Sequence, residues 1–213
     1  GWPGKTVEQD LFLPSTVIVT GFDIIFFWVA RMIMMTLHHT GQVPFKHAYI
    51  HGLIRDSQGQ KMSKSEGNVL DPVDLIQGVD LATLITKSTT GLRRPEKAPK
   101  ITTRLKKEHP DGIPAYGADA LRFGVMRAAP LGQDILFDEQ NVELGRNFCN
   151  KLWNACRFRQ MQGGEAQGEI DVNMLRADDK WILLKLHAAI KELNSAFAEY
   201  KFNEATQTLY RFF

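Results

Sequence analysis

The order of three segments between residues 16 and 54 constrains this chain most. Thr16-Val-Ile-Val-Thr20 is short and β-branched, the pattern of a buried strand. Gly21-Phe22-Asp23 reads as a turn, with Asp23 as the N-cap of the next segment. Ile24 to about His39 reads as a helix, apolar on nearly every side and therefore sandwiched, not surface-lying. A loop through Pro44 leads to a second β-rich run, Ala48-Tyr-Ile-His-Gly-Leu-Ile54. Strand, helix, strand in this order makes a βαβ unit, with a right-handed crossover and a parallel pair. Two strands are too little sheet to be stable alone, so the remaining strands are expected upstream of Gly1.

The same stretch is the most apolar part of the chain, and a membrane reading fails on it. Asp23 and Arg31 interrupt Val17 to Leu37, leaving Ile24 to Ala30 as an uninterrupted run of seven. A spanning helix needs about 20 predominantly apolar residues. The expectation is a protein without a membrane partner. With 213 residues and 44% hydrophobic content the chain can bury a real core. The formal net charge of +2 excludes a uniformly basic nucleic-acid coat but leaves room for a local basic face. Cys149 and Cys156, seven apart on an expected helix, lie too far apart along its axis for a disulfide and form no metal-ligand pattern. A reduced, cytoplasmic setting is the default, and no metal site is expected.

Downstream, Asp71-Pro72 opens a short helix through Ile76, with proline where the first turn tolerates it. Residues 87–108 carry Lys87, Arg93, Arg94, Lys97, Lys100, Arg104, Lys106 and Lys107 against Glu96 and Glu108. They read as a surface insertion, either a solvated charged loop or a basic contact face. A helical pattern returns at Ala118 to Ala129, and from about Asn141 the chain reads as all-helical. Phe148, Leu152 and Ala155 follow the helical period. A break at Gly163, Gly164 and Gly168 precedes a helix from Asp178 to about Tyr200, with Trp181, Leu184, Ala188 and Phe197 on its buried side. Asn203 would cap a last helix carrying Ala205, Leu209 and Phe212. Successive amphipathic helices point to an antiparallel bundle.

The chemistry resides in Lys61-Met62-Ser63-Lys64-Ser65. Two lysines three apart, among small hydroxylated residues and flanked by Gly59 and Gly67, suit a polyphosphate. Phosphoryl and nucleotidyl transfer need positive charge where pyrophosphate charge develops, and lysine supplies it without demanding bidentate geometry. A Lys-x-x-Lys turn alone would more simply be a solvated basic loop. This one comes after a β-run, where open α/β sheets bind ligands.

Lys61 to Ser65 as it stands here is the second signature of class I aminoacyl-tRNA synthetases. The surrounding blocks resemble the valyl, isoleucyl and leucyl subgroup: Tyr49 to Asp56, Gly67 to Pro72, Tyr116 to Phe123 and Asn147 to Phe158. Thr20-Gly-Phe-Asp-Ile-Ile-Phe-Phe-Trp-Val-Ala-Arg-Met32 is most similar to the valyl branch. The resemblance covers nearly the whole chain. It implies ATP with Mg2+, L-valine and tRNA(Val) as the partners of a full-length enzyme, monomeric and cytoplasmic.

It also implies roles for individual residues. Lys61 and Lys64 would hold the ATP phosphates and stabilise the pyrophosphate leaving group, with Met62, Ser63 and Ser65 completing that loop. Asp23 would accept hydrogen bonds from the ribose hydroxyls, and Gly21 would let the nucleotide approach the backbone. His51, Gly52 and Leu53 would line the adenine, His51 as a structural or stacking residue and not as a base. Trp28, five residues after Asp23 on the same helix, would wall a pocket small enough for valine; otherwise it is core. Arg93, Arg94, Arg146, Lys151 and Arg157 are the candidate tRNA contacts, which would make binding salt-sensitive.

Parts of the family pattern are not in this chain. The His-x-Gly-His signature is missing, and His38-His39-Thr40-Gly41 at the end of the expected helix does not replace it. The editing domain and a second pocket tryptophan, expected upstream of Trp2, are missing too. The expected class is therefore α/β plus all-α, in an internal fragment with no ligase activity of its own. Residues 1–72 would be the C-terminal half of a Rossmann-type nucleotide-binding domain. Residues 73–140 would be a stem-contact region with the basic insertion 87–108, and 141–213 the start of an antiparallel anticodon-binding bundle. Two other readings stand beside this one: an isoleucyl enzyme, and a non-catalytic RNA-binding helical module with a vestigial loop.

Overall fold

A computed structural model describes residues 3–164 and 170–213; Gly168 of the expected glycine break lies outside the described residues. The chain divides into two compact units, Gly1–Leu53 with Leu131–Ile135, and Ile54–Pro130 with Leu136–Phe213.

The first unit begins with a helix that the sequence pattern did not suggest, α1 (Val7–Phe12), whose Thr6 cap accepts from the Gln9 N–H. The βαβ unit comes next. β1 (Ser15–Gly21) and β2 (Phe45–His51) pair in parallel, in a register that sets Val19 beside Tyr49 and Gly21 beside His51. The run expected to reach Ile54 thus ends at His51. The connection is not one helix. Phe22–Ile24 form a 3-10 turn, Ile25–Val29 a π turn, and only Ala30–Thr40 is α-helical (α2), ending on left-handed Gly41. Ile24 to Val29 are β-branched and aromatic, which crowd an α-helix, and no side chain caps its start. Asp23 is accordingly inside the 3-10 turn and is not an N-cap. Nor is the connection sandwiched within this unit: Phe26, Phe27, Met34 and Met35 are exposed.

In the second unit, the Phe137 N–H donates to the Arg55 carbonyl. α3 (Pro72–Gln77) starts as expected, on an Asp71 side chain that accepts from the Val73 N–H. α4 (Leu81–Thr89) and α5 (Ala98–Glu108) alter the reading of the basic stretch. Ile101 and Leu105 of α5 join Leu75, Leu84 and Ile113 in the main buried cluster, so residues 87–108 are not simply a surface insertion. Their charges face outward on a helix whose other side is core, an amphipathicity that charge counting hides. Lys87 binds the buried Asp74 carboxylate at 2.6 Å, and this hydrogen bond raises its pKa.

The helical part is built from α6 (Ala118–Ala128), α7 (Glu139–Met161), α8 (Ala177–Ala198) and α9 (Phe202–Phe212). α6 packs on both α7 and α9, and α8 packs on α9. The α6–α7 contact is close because glycine sits on both sides of it. A methyl group on Gly124 would fall 2.5 Å from the Asn141 carbonyl oxygen, and one on Gly145 2.4 Å from that of Ala120. Phe148 is buried as expected, stacked on Phe123 at 4.7 Å, whereas Ala155 is exposed. α8 buries a different side from the one expected. Ala189 and Ala196 are buried while Trp181, Leu184, Ala188 and Phe197 are exposed, because the close contact with α9 selects small residues over large ones. α9 starts after Lys201, not on an Asn203 cap, and buries Ala205 and Thr208.

Candidate functional site

The end of the parallel pair gathers four of the residues singled out above. The register that sets His51 beside Gly21 makes the missing side chain at Gly21 consequential. A Cβ there would lie 2.8 Å from Asp23 Oδ1 and 3.6 Å from both His51 Cε1 and Leu53 Cδ2. Gly21, Asp23, His51 and Leu53 therefore surround one small space at the carboxyl end of two parallel strands, the usual ligand position in open α/β sheets. The His51 Nδ1 lies 2.8 Å from the Gly52 carbonyl oxygen. Gly52 itself packs against backbone: a Cβ would come 1.8 Å from the Gln133 carbonyl oxygen. Next to it the Leu53 N–H donates to Asp134 Oδ1 (2.7 Å), and the Ile135 N–H to the Leu53 carbonyl. Asp134 is a residue that sequence reasoning missed, since its partner is 81 positions away.

Trp28 is on the π turn, 44% exposed. It does not share one regular helix with Asp23, which stands on the preceding 3-10 turn. π turns widen the backbone and recur at functional sites.

In the second unit, Lys61 to Ser65 form a tied loop. An antiparallel bridge joins Arg55 to Lys61, with the Asp56 N–H on the Gln60 carbonyl and the Gly59 N–H on that of Asp56. Asp56 Oδ1 accepts from the Gln58 and Gln60 N–H groups at 3.0 and 2.7 Å. Its Oδ2 accepts from Asn68 Nδ2 at 2.8 Å. Asn68 in turn accepts from the Ser63 N–H (2.9 Å) and donates to the Lys61 carbonyl (3.3 Å). Ser63 and Ser65 hydroxyls are 2.8 Å apart. Lys64 begins a 3-10 turn that ends on left-handed Gly67. Lys61 and Lys64 are both exposed, and Met62 is half-buried. Neither Asp56 nor Asn68 was among the expected site residues, although the resemblance blocks include both.

Partial burial raises the Asp56 carboxyl, but the hydrogen bonds from Asn68, Gln60 and Gln58 and the charge of Arg104 outweigh it, leaving a pKa below 3.8. A carboxylate depressed in the fold adds stability above its ordinary pKa and loses it as pH falls through the folded value. The Asn68 side-chain amide resonances are therefore expected to stay unchanged down to about pH 4 and to shift only below it. A midpoint at or above 3.8 would contradict the ion's role.

The basic stretch supports this loop from outside. The Arg93 N–H donates to the Ser65 carbonyl at 2.9 Å, Lys97 binds Glu66 at 2.8 Å, and Arg104 donates to the Gly67 carbonyl at 3.1 Å. A Cβ on Gly67, whose φ is +68°, would meet the Ser88 carbonyl oxygen at 2.6 Å. Arg94 is exposed. Of the helical candidates, Arg146 binds Glu143 at 3.0 Å and stands over the Tyr116 ring. Lys151 donates to the Phe213 carbonyl at 3.0 Å. Arg157 is exposed. Among the described residues no group of three or more His, Cys, Asp or Glu could hold a metal ion, and none of the helices is long and apolar enough to cross a membrane.

Along the chain, a parallel pair ending in a small-residue space is followed by a tied lysine loop and then by helices. Residues 1–138 match the family model described as tRNA synthetases class I (I, L, M and V), and the chain belongs to that family. Residues 179–213 match the anticodon-binding domain of tRNA ligase. Among the relatives are valine–tRNA ligases of Laribacter hongkongensis (55% identical), Chromobacterium violaceum (54%) and Neisseria meningitidis (52%). Each alignment covers 100% of this chain and 23% of the relative, so the chain spans about a quarter of the length of those proteins. A solved LeuRS from Agrobacterium radiobacter, in a ternary complex with tRNA and LeuAMS, aligns with TM-score 0.65 and 18% identity. That match covers 93% of this chain and 22% of the other, and it shows a shared mixed α/β fold.

Proposed function

We propose that this chain is the part of a valine–tRNA ligase that carries the phosphate-handling loop. In the reaction the valine carboxylate attacks the α-phosphorus of ATP, forming valyl-adenylate and releasing pyrophosphate. The valyl group then passes to tRNA(Val). The observation that carries the reading is the second unit's loop, which offers two exposed lysines on a backbone tied by Asp56 and Asn68.

Lys61 and Lys64 neutralise the charge that gathers on the leaving pyrophosphate, where preorganised cations act most strongly. The Ser63 and Ser65 hydroxyls and the Met62 backbone complete this contact. Mg2+ arrives with ATP as part of the substrate. In the first unit, Asp23 accepts from the ribose hydroxyls, Gly21 leaves the backbone open to the nucleotide, and His51, Gly52 and Leu53 line the base. Trp28 limits the amino-acid pocket. Arg93, Arg94, Arg146, Lys151 and Arg157 serve tRNA phosphates; those already bonded within the chain, Arg146 and Lys151, would have to exchange partners. Residues 1–72, 73–140 and 141–213 serve as catalytic, stem-contact and anticodon-binding segments, in a full-length protein that works as a cytoplasmic monomer.

Amino-acid-dependent ATP–pyrophosphate exchange by the full-length protein tests this directly. Exchange is expected with valine, and exchange with isoleucine in preference to valine would place the chain in the isoleucyl enzyme instead. Tight tRNA binding without exchange would favour a non-catalytic RNA-binding module. The 213 residues by themselves are expected to form no valyl-tRNA; measurable product from them would refute that expectation.

A further inference from the structure

We propose that Asn68 and Asp56 are positioning residues for the two lysines, forming a side-chain clasp that sets where their charges stand. The inference rests on the catalytic reading above for its kinetic consequence, though not for its geometry.

Apolar packing holds little of the loop between residues 57 and 64, and the contacts from Arg93, Lys97 and Arg104 reach only Ser65, Glu66 and Gly67. Met62 is the loop's half-buried apolar residue, and the lysines, Ser57, Gln58 and Gln60 lie at the surface. Hydrogen bonding remains, and one side chain is central to it. Asn68 contacts the carbonyl of Lys61, the N–H of Ser63 immediately before Lys64, and the carboxylate of Asp56. Its orientation is determined by chemistry. A carboxylate and a carbonyl can only accept, so they face the NH2 end, and a backbone N–H can only donate, so it faces the oxygen. Asp56 is equally committed, with one oxygen on two backbone N–H groups and the other on Asn68. The clasp therefore joins the backbone of Lys61 and of Ser63, the residue before Lys64, to the hairpin of residues 55–61. Neither residue needs to touch substrate to act: a displacement of about 1 Å at a reacting group costs on the order of a hundredfold in rate.

A reciprocal exchange of the two side chains provides the test. Asn68→Asp sets a second carboxylate against Asp56 where the present contact is 2.8 Å, and it removes the donor to the Lys61 carbonyl. Adding Asp56→Asn restores a donor–acceptor pair. The new amide keeps its oxygen on the Gln58 and Gln60 N–H groups and turns its NH2 toward the carboxylate at position 68. That carboxylate can still accept from the Ser63 N–H, and only the bond to Lys61 is not rebuilt.

In the full-length protein, Asn68→Asp is expected to lower kcat for valine-dependent exchange about a hundredfold while KM for valine changes less than about threefold. The double variant is expected to recover about tenfold of that loss. Trypsin reads the clasp without any catalysis. Cleavage after Lys61 and Lys64 is expected to be about tenfold faster in Asn68→Asp and to slow again in the double variant. If Asn68→Asp leaves both kcat and cleavage unchanged, or if the double variant is no better than the single in both, the clasp is wrong. A general folding defect would speed cleavage throughout the chain and would not be reversed by a second substitution, and that outcome also overturns the clasp. If the parent shows no valine-dependent exchange but the cleavage pattern tracks the exchange of side chains, the catalytic reading fails and the clasp stands.

Discussion

Lys64→Ala in the full-length protein is expected to lower valine-dependent pyrophosphate exchange by about a hundred- to a thousandfold, the cost of removing one preorganised charge from a transition state. Lys64 is exposed at the start of a 3-10 turn, so its side chain contributes little to folding and far-UV circular dichroism should be unchanged. On the proposed role, in which the lysine meets charge that develops as pyrophosphate leaves, the loss is expected in kcat, with KM for valine little altered. Exchange within about threefold of the parent would remove Lys64 from the chemistry. Lys64→Arg is not a neutral control, since a planar guanidinium demands a different geometry from a compact ammonium.

Gly52→Ala is expected to be the most disruptive single methyl group in the first unit. The added carbon would lie 1.8 Å from the Gln133 carbonyl oxygen, 2.2 Å from its carbon and 2.6 Å from the Asp134 nitrogen. All three are backbone atoms, so no rotamer change relieves the contact, and the 131–135 segment must move away. The hydrogen bonds from the Leu53 N–H to Asp134 and from the Ile135 N–H to the Leu53 carbonyl go with it. Overpacking of this kind costs about 3 kcal/mol, and each lost bond adds about 1 kcal/mol. Amide exchange at Leu53 and Ile135 is expected to accelerate by at least about a hundredfold. Gly41→Ala is the comparison: it also adds a methyl group, at φ +69° but with nothing within 4 Å, and costs about 1 kcal/mol of backbone strain. Equal effects at the two positions would overturn the close approach at Gly52.

Much of the local structure was readable from residue types because it depends on nearest neighbours in the chain. The β-branched run at 16–20 became a strand, Asp71-Pro72 opened a helix, and Ala118 to Ala128 and the run beyond Glu139 are helical. Lys61 to Ser65 were legible as a polar loop, since they are consecutive, and the structure shows them as a tied loop. The α2 connection was not, because periodicity registers apolar residues but not whether they wind tightly or widely. Its first turns are 3-10 and π, and they move Trp28 and Asp23 off a common helix face.

Burial was the least legible property. In α8 the large residues Trp181, Leu184 and Phe197 look like the buried side, yet Ala189 and Ala196 are the ones covered. A sequence shows which side chains are apolar, while the distance to the facing helix decides which of them fit. The basic stretch 87–108 gave the converse difficulty, its eight cations concealing Ile101 and Leu105 in the core.

By itself, then, the sequence indicated the strand, helix, strand order and a helical C-terminal part, because strand and helix patterns repeat within a few residues. The tertiary structure alone decided what supports the lysine loop. Asp56 and Asn68 are 12 positions apart, Glu66 and Lys97 31, and Gly67 and Arg104 37. Hydrogen bonds are directional over about 3 Å, so only the folded path of the chain, and no pattern along it, could bring those partners together.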